Sequence, residues 1–117
     1  MHYCLNLVTR TSAHPEAVLL RAIEPIHTAA TPVPTKTAKS NLESNGPGKL
    51  CRYLGLTKDQ DGIPVWHEDA GLWVLDAAPI APEHMATRPR IGVDYAGEAA
   101  AWPLRFYIKE NRYVSKK

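Results

Sequence analysis

This 117-residue sequence contains few cysteines and histidines, and their spacing does not suit a metal site or a disulfide framework. Its two cysteines, Cys4 and Cys51, form no metal-ligand pattern, so we expect reduced, packed thiols rather than a disulfide. The five histidines form no pair at i, i+3 or i+4, and we therefore expect no metal site.

Other absences narrow the class of protein. No apolar run approaches the length of a membrane span and no basic-then-apolar signal segment opens the chain, so we expect a cytoplasmic protein without a membrane partner. There is no internal repeat, no Gly-Lys-Ser/Thr phosphate loop and no nucleophile–base pair. The formal charge of +2 permits a nucleic-acid partner without requiring one.

The first 26 residues carry the signal of a β-hairpin. "MHYCLNLVTR" alternates between two faces at period two, and residues 11–15 are rich in turn formers. "EAVLLRAIEPI" predicts a second strand over residues 16–26 that pairs with the first. A short helix is the alternative, because Leu19, Ala22 and Ile23 also fit one helical face.

Residues 27–44 are small, polar and proline-rich, which predicts a flexible surface loop. "SNGPGKLCRYLGL" then predicts a helix, with Asn45 as its cap, Pro47 in the first turn and Gly55 at its end. The start of this helix has two interpretations. Gly48 and Lys49 suit a phosphate-binding helix start, or this is an ordinary capped helix with one solvated lysine.

The remaining chain favours short strands. We predict a strand pair over residues 63–68 and 71–77, a strand at Ile91 and Val93, a helical turn over residues 98–102 and a last strand over residues 104–108. The sum is a mixed α/β fold: one strand-rich domain over residues 1–117, with an antiparallel sheet and one clear helix.

Two polar residues interrupt apolar runs near the hairpin. Arg21 lies within "VLLRAI", so its guanidinium either points inward and needs a partner or lies on the outer face of an edge strand. Asn6, between Leu5 and Leu7, is likewise either a buried amide with a functional role or an outward-facing polar residue.

Three stretches together carry a family resemblance. "GPGKLCRYLGL", "RPRIGVDYAGEAAAWPLRFYI" and "YCLNL" followed by "VLLRAIEPI" resemble the human-type alkyladenine (3-methyladenine) DNA glycosylase family. The resemblance covers nearly the whole chain except residues 27–44. It implies excision of alkylated or deaminated purines from double-stranded DNA by base flipping, without metal or organic cofactor, and by a monomer.

The resemblance also implies that Met1 matches an internal position, just after the tip of a DNA-intercalating hairpin. About half of a full-length member would then precede it. That part carries the general-base glutamate and the aromatic residues that sandwich the flipped base, so the fold of this chain is expected to be incomplete relative to the family.

By resemblance, four residues belong to the catalytic pocket. Asn6 matches an asparagine that helps to reject guanine, and Leu19 matches a residue close to the pocket. Arg21 matches an arginine that holds the attacking water with the missing glutamate. Ile91 matches a position whose main-chain carbonyl contacts the same water.

Four further residues match positions that approach DNA: Met1, His2, Gly48 and Lys49. Lys49, after Gly48, is similar to the family's phosphate-contacting helix start, while Tyr95 replaces a histidine of some members and is assigned no role. The chain contains no match for the general base. We therefore expect this chain to be inactive or nearly so by itself. The alternative to a glycosylase is a non-enzymatic remnant or a weak nucleic-acid-binding module.

Overall fold

Two antiparallel two-stranded ribbons and one α-helix form the regular structure of the chain. The computed structural model describes residues 2–26 and 44–117. Its elements are β1 (Leu5–Thr11), β2 (His14–Leu20), α1 (Pro47–Leu54), β3 (Met85–Arg88) and β4 (Arg105–Ile108). The mixed α/β class is therefore confirmed, with two small antiparallel sheets. Met1 and nearly all of the predicted loop, residues 27–43, lie outside the described residues.

The predicted β-hairpin is confirmed and the helical alternative for its second half is wrong. β1 pairs with β2 so that Leu5 lies opposite Leu20 and Thr11 lies opposite His14. At its tip Arg10 adopts a φ of 65°, and its guanidinium forms an ion pair of 2.9 Å with Glu16. β2 ends at Leu20 rather than at residue 26, and Ile23 beyond it bonds to Ser44.

Helix α1 begins and ends where the sequence predicts. Pro47 opens it, and Gly55 closes it with a φ of 67°, a left-handed conformation that favours glycine. The prediction that Asn45 caps it is wrong. Gly46 occupies the cap position without a side-chain hydrogen bond, and Asn45 Oδ1 instead accepts a hydrogen bond of 3.0 Å from Lys49 Nζ.

The second ribbon lies earlier in the chain than predicted. The expected strand at Ile91 and Val93 is wrong, since β3 covers Met85–Arg88 and is followed by Pro89, which has no N–H to donate to a strand partner. The last strand is confirmed as β4, paired with β3 so that Met85 lies opposite Ile108. Between them, short 3₁₀ turns over Asp94–Ala101 are interrupted at Gly97, whose φ is 57°.

The predicted strand pair over residues 63–68 and 71–77 is also wrong. A 3₁₀ turn occupies Glu68–Ala70 and is closed by a hydrogen bond of 3.2 Å from Gly71 N to Glu68 O. Beyond this turn, one described backbone hydrogen bond, of 2.7 Å from Val74 N to Val65 O, links the two segments. Apolar alternation alone does not make a sheet here, because Trp66 is 76% exposed and Leu75 is 70% exposed. Strands of this kind need a surface on which to bury one face.

Two side chains connect parts of the chain that are distant in sequence. Ser44 is buried, its Oγ donates a hydrogen bond of 2.7 Å to Ile23 O, and its carbonyl accepts one of 3.4 Å from Ile23 N. Asn111 Nδ2 donates a hydrogen bond of 2.8 Å to Glu24 Oε2. The segment after β2 is thereby held both to the start of α1 and to the C-terminal region.

Few hydrophobic side chains are buried among the described residues: Leu50, Cys51, Ala86 and Tyr113. The expectation of two packed thiols therefore holds for Cys51 alone, since Cys4 is exposed; neither forms a disulfide. Within the two described ranges, no helix is both long and apolar enough to cross a membrane.

Because Leu50 is 0% exposed, truncating it should destabilise the chain strongly. We expect Leu50→Ala to lower the free energy of unfolding by about 2–5 kcal/mol, from lost burial and the cavity left behind. Leu75→Ala, at a position 70% exposed, is the matched control and should change it by less than about 0.5 kcal/mol. Urea titration monitored by circular dichroism measures both, and equal effects would contradict the burial of Leu50.

Candidate functional site

The register of the first ribbon places Asn6 beside Leu19. The two residues are cross-strand partners in β1 and β2, so their side chains lie next to each other on one face. Asn6 is exposed and Leu19 is 38% exposed. This face therefore presents an amide, which both donates and accepts hydrogen bonds, next to an apolar surface.

Arg21 follows β2 directly and is partly buried. It comes two residues after Leu19 and two residues before Ile23, which is bonded to Ser44. Arg21 thus lies between two held residues, Leu20 in the ribbon and Ile23 in the Ser44 contact. A guanidinium keeps its charge near neutral pH, so this position can bind an anion or orient water but cannot act as a general base.

The two carboxylates closest to Arg21 in sequence each have another partner. Glu16 lies opposite Thr9, on the ribbon face that does not carry Asn6, and it pairs with Arg10 at the tip. Glu24 accepts the hydrogen bond from Asn111. In residues 2–26 these are the two acidic side chains, so this described segment places no carboxylate beside Asn6.

His2, Gly48 and Lys49 come together where α1 meets the chain before β1. A Cβ atom on Gly48 would lie 2.9 Å from His2 Cβ and 3.0 Å from its Cγ, closer than such atoms approach. Gly48 therefore allows the imidazole to lie against the helix start. The first turn has no acidic residue and no side-chain cap, so the positive end of the helix dipole remains available to an anion beside the exposed Lys49.

A shallow cavity of about 200 Å³ adjoins this cluster, lined in part by His2, Gly48, Cys51 and Arg52. Burial, with a smaller contribution from the nearby Cys4 thiol, raises the pKa of the Cys51 thiol above its ordinary value. Cys51 is therefore held as a neutral thiol at physiological pH and behaves as a core residue, not as a nucleophile.

Ile91 lies in a loop held by two arginines. Arg105 Nε donates a hydrogen bond of 3.0 Å to Pro89 O, and its Nη1 donates one of 2.8 Å to Lys116 O. Arg90 Nη2 donates one of 3.2 Å to Ala99 O. Ile91 itself is partly buried. The loop therefore has a defined path, although no hydrogen bond between described residues joins it to the first ribbon.

Comparison with known protein families identifies the chain. A model of the family described as methylpurine-DNA glycosylase matches residues 1–112. The chain belongs to the methylpurine-DNA glycosylase family. The match covers both ribbons, α1 and the Ile91 loop, so every site residue predicted from the sequence lies within it.

Individual relatives agree with this family assignment. The chain is 48% identical over 118 residues to a candidate 3-methyladenine DNA glycosylase of Bdellovibrio bacteriovorus, with 100% of the chain and 59% of the relative covered. It is 39% identical to such a protein of Desulfitobacterium hafniense, with 100% and 61% covered. It is also 39% identical to such a protein of Myxococcus xanthus, with 99% of the chain and 54% of the relative covered.

The chain thus spans a little over half the length of the curated relatives that it matches. Of the site residues predicted from the glycosylase resemblance, the structure brings together Asn6 with Leu19, and His2 with Gly48 and Lys49. No hydrogen bond between described residues links Ile91 to Asn6 or Leu19. Met1 lies outside the described residues.

Two residues with a positioning role were missed by sequence reasoning. The sequence predicts Ser44 to lie in the loop before α1, and nothing in its polar surroundings signals that it is 1% exposed. Arg105 is part of the "RFY" motif of the glycosylase resemblance, which was a usable signal, but its hydrogen bonds to Pro89 and Lys116 depend on tertiary structure.

The contact between His2 and Gly48 can be tested by adding a methyl group. Gly48→Ala should lower the free energy of unfolding by about 1–3 kcal/mol, because the new Cβ overlaps His2. Gly46→Ala is the control, since the nearest atom to its Cβ, Lys49 Cδ, lies at 4.0 Å.

A His2→Gly change removes the overlapping atoms, so it should restore most of the stability lost in Gly48→Ala. Denaturant unfolding of the two single variants and the double variant measures this coupling. Additive effects of the two substitutions would show that the overlap is not the cause.

Proposed function

We propose that this chain is part of a DNA repair glycosylase that hydrolyses the N-glycosidic bond of alkylated or deaminated purines in double-stranded DNA. The damaged nucleotide is flipped out of the stack and its base is read in a pocket. Family membership supports the reaction class, and the names of the relatives point to 3-methyladenine as one such base. Without a general base, the chain alone is inactive or nearly so.

The observation that carries this proposal is the cross-strand pair of Asn6 and Leu19, with Arg21 directly after the same strand. Leu19 provides an apolar surface for a purine ring, and the Asn6 amide faces its edge. An amide N–H set against the 2-amino group of guanine opposes donor to donor, which disfavours guanine. Adenine-like and hypoxanthine-like bases lack that amino group and are accepted.

The water that attacks the glycosidic bond needs a base to take its proton. In this proposal Arg21 and the main-chain carbonyl of Ile91 orient the water, and a carboxylate from outside this chain removes the proton. Both carboxylates of residues 2–26 are engaged, with Arg10 and with Asn111. Loss of a general base alone costs on the order of 10²–10⁴ in rate, which supports the proposed inactivity.

The cluster of His2, Gly48 and Lys49 supplies the proposed DNA contact. Backbone N–H groups at a helix start and a lysine side chain both favour phosphate, and glycine lets the DNA backbone approach closely. Lys49 Nζ is held by Asn45 and is exposed, so it can exchange that hydrogen bond for a phosphate oxygen. Together these groups orient a duplex so that a flipped purine reaches Asn6.

A single-turnover excision assay tests the proposed reaction. The substrate is a duplex with one hypoxanthine, and alkaline cleavage reports each abasic site. We expect no excision above background by the 117-residue chain, and excision when it is fused to the part of the B. bacteriovorus relative that its match does not cover. If neither protein excises hypoxanthine, the proposed activity is contradicted. Excision by the short chain contradicts the need for an external base.

Substitution of Arg21 in that fused protein tests the proposed water-orienting role. Arg21→Ala should lower the single-turnover rate by about 10²-fold or more, in line with losses of positioned groups in active sites. Binding of the damaged duplex, measured by fluorescence anisotropy, should change by less than about threefold, because the effect is on the reacting water.

Arg10→Ala is the matched control, since that arginine pairs with Glu16 at the ribbon tip and has no proposed contact with the pocket. It should retain excision within about threefold, as expected for loss of an exposed ion pair. Equal rates for the Arg21 and Arg10 variants would remove Arg21 from the mechanism.

A further inference from the structure

Ser44 is a polar residue with only 1% of its surface exposed. Burying a hydroxyl group is unfavourable unless it forms a hydrogen bond. Its Oγ donates a hydrogen bond of 2.7 Å to Ile23 O, and Ser44 O accepts one of 3.4 Å from Ile23 N. Ser44 therefore binds both main-chain polar groups of a residue that lies 21 positions earlier in the chain. We call this pair of hydrogen bonds the Ser44 bridge.

The Ser44 bridge fixes the backbone just beyond Arg21. On one side β2 ends at Leu20, which the ribbon holds, and on the other side Ile23 is held by Ser44. Arg21 and Ala22 are the two residues between these fixed points, and both are partly buried. Each residue has two soft backbone dihedral angles, so a stretch of two residues fixed at both ends has few conformations. The direction in which the Arg21 side chain leaves the backbone is thereby restricted.

A second contact holds the residue after Ile23, but through an exposed side chain. Asn111 Nδ2 donates a hydrogen bond of 2.8 Å to Glu24 Oε2, and Glu24 is exposed. Water competes for such a contact, and the rotatable bonds of the glutamate side chain separate it from the main chain. The Ser44 bridge acts on the main chain itself and is shielded from water. Of the two contacts it is therefore the closer constraint on the backbone at Arg21.

Ser44 also lies directly before helix α1. Gly46, two residues later, occupies the cap position of the helix, and its carbonyl accepts a helical hydrogen bond of 2.7 Å from Leu50 N. The helix start with Lys49, for which we propose a phosphate contact, therefore follows Ser44 closely. One short path of main-chain bonds and hydrogen bonds joins this helix start to the segment that carries Arg21.

We propose that Ser44 is a positioning residue for the glycosylase reaction: through the Ser44 bridge it holds Arg21 where its guanidinium orients the attacking water. The inference rests on the proposed function, which gives Arg21 that role. Ser44 is buried and its hydroxyl donates to Ile23 O, so it acts through the main chain rather than by touching the purine or the water. A small displacement of a group that orients a reactant lowers the rate steeply, which makes such a hold important for catalysis.

Hydrogen exchange of backbone amides in the 117-residue chain tests the hold itself. Ser44→Ala removes the donor to Ile23 O, and we expect the Ile23 amide, followed by nuclear magnetic resonance, to exchange at least about tenfold faster. Ser12→Ala is the matched control, because Ser12 is an exposed serine in the turn at the other end of the ribbon. It should leave this exchange rate within about twofold. Equal exchange rates in the two variants would overturn the hold.

The fused protein of the excision assay tests the positioning role. Ser44→Ala should lower the single-turnover rate at saturating protein about tenfold, because the water is then poorly oriented. The Kd for the damaged duplex, measured by fluorescence anisotropy, should stay within about threefold. Ser12→Ala should leave both quantities within about twofold. A purely structural role would weaken rate and binding together, and that result would overturn the proposal.

Double variants show whether Ser44 acts through Arg21. When Arg21 is already alanine, Ser44→Ala should lower the remaining rate by less than about twofold, since the group that it positions is gone. A further tenfold loss in the double variant would overturn the proposed route. Ser44→Cys is the second variant if Ser44→Ala does not fold, because a thiol fills similar space but is a weak donor. It should lower the rate at least about fivefold, and an unchanged rate would overturn the proposal.

The same assay separates failure of this inference from failure of the proposed function. If the fused protein with Ser44 and Arg21 intact excises no hypoxanthine, the proposed function is refuted, and the positioning role is refuted with it. If that protein excises hypoxanthine and Ser44→Ala excises it at the same rate, the positioning role alone is overturned and the proposed activity stands.

Discussion

The pairing register of β1 and β2 is the constraint on which the rest of this molecule depends. Because side chains alternate along a strand, a slip by one residue would move Asn6 to the other face and replace it with Leu5 or Leu7. The observed register sets Asn6 against Leu19, places Leu5, Leu7 and Leu20 on the opposite face, and leaves Arg21 just beyond the strand. One hydrogen-bonding pattern therefore determines both how the ribbon packs and what it presents to a ligand.

The other parts are joined to this ribbon by a few polar contacts rather than by a large core. Ser44 binds Ile23, Asn111 binds Glu24, and Arg105 binds the carbonyls of Pro89 and Lys116. Hydrogen bonds of this kind define position but add only about 0.5–1.5 kcal/mol each to stability. The chain is thus specified in geometry while many large apolar side chains of the described residues remain exposed.

The proposed function combines three tasks: reading a purine, holding DNA and activating water. The described residues provide groups suited to the first two, in Asn6 with Leu19 and in Lys49 with the helix start. They provide Arg21 for the third without a free carboxylate beside it in residues 2–26. Family membership rests on the match over residues 1–112, whereas the need for a further carboxylate belongs to the proposed function.

Local sequence determined the hairpin, the ends of α1 at Pro47 and Gly55, and the last strand, because period-two alternation and the backbone limits of proline and glycine act without long-range help. Motif order also determined the family. Tertiary structure alone decided that residues 63–77 form no sheet, that the strand lies before Pro89 rather than at Ile91, and that Ser44 and Arg105 hold the chain together. Strands form where a neighbouring surface buries one face, and such surfaces come from residues far away in the sequence.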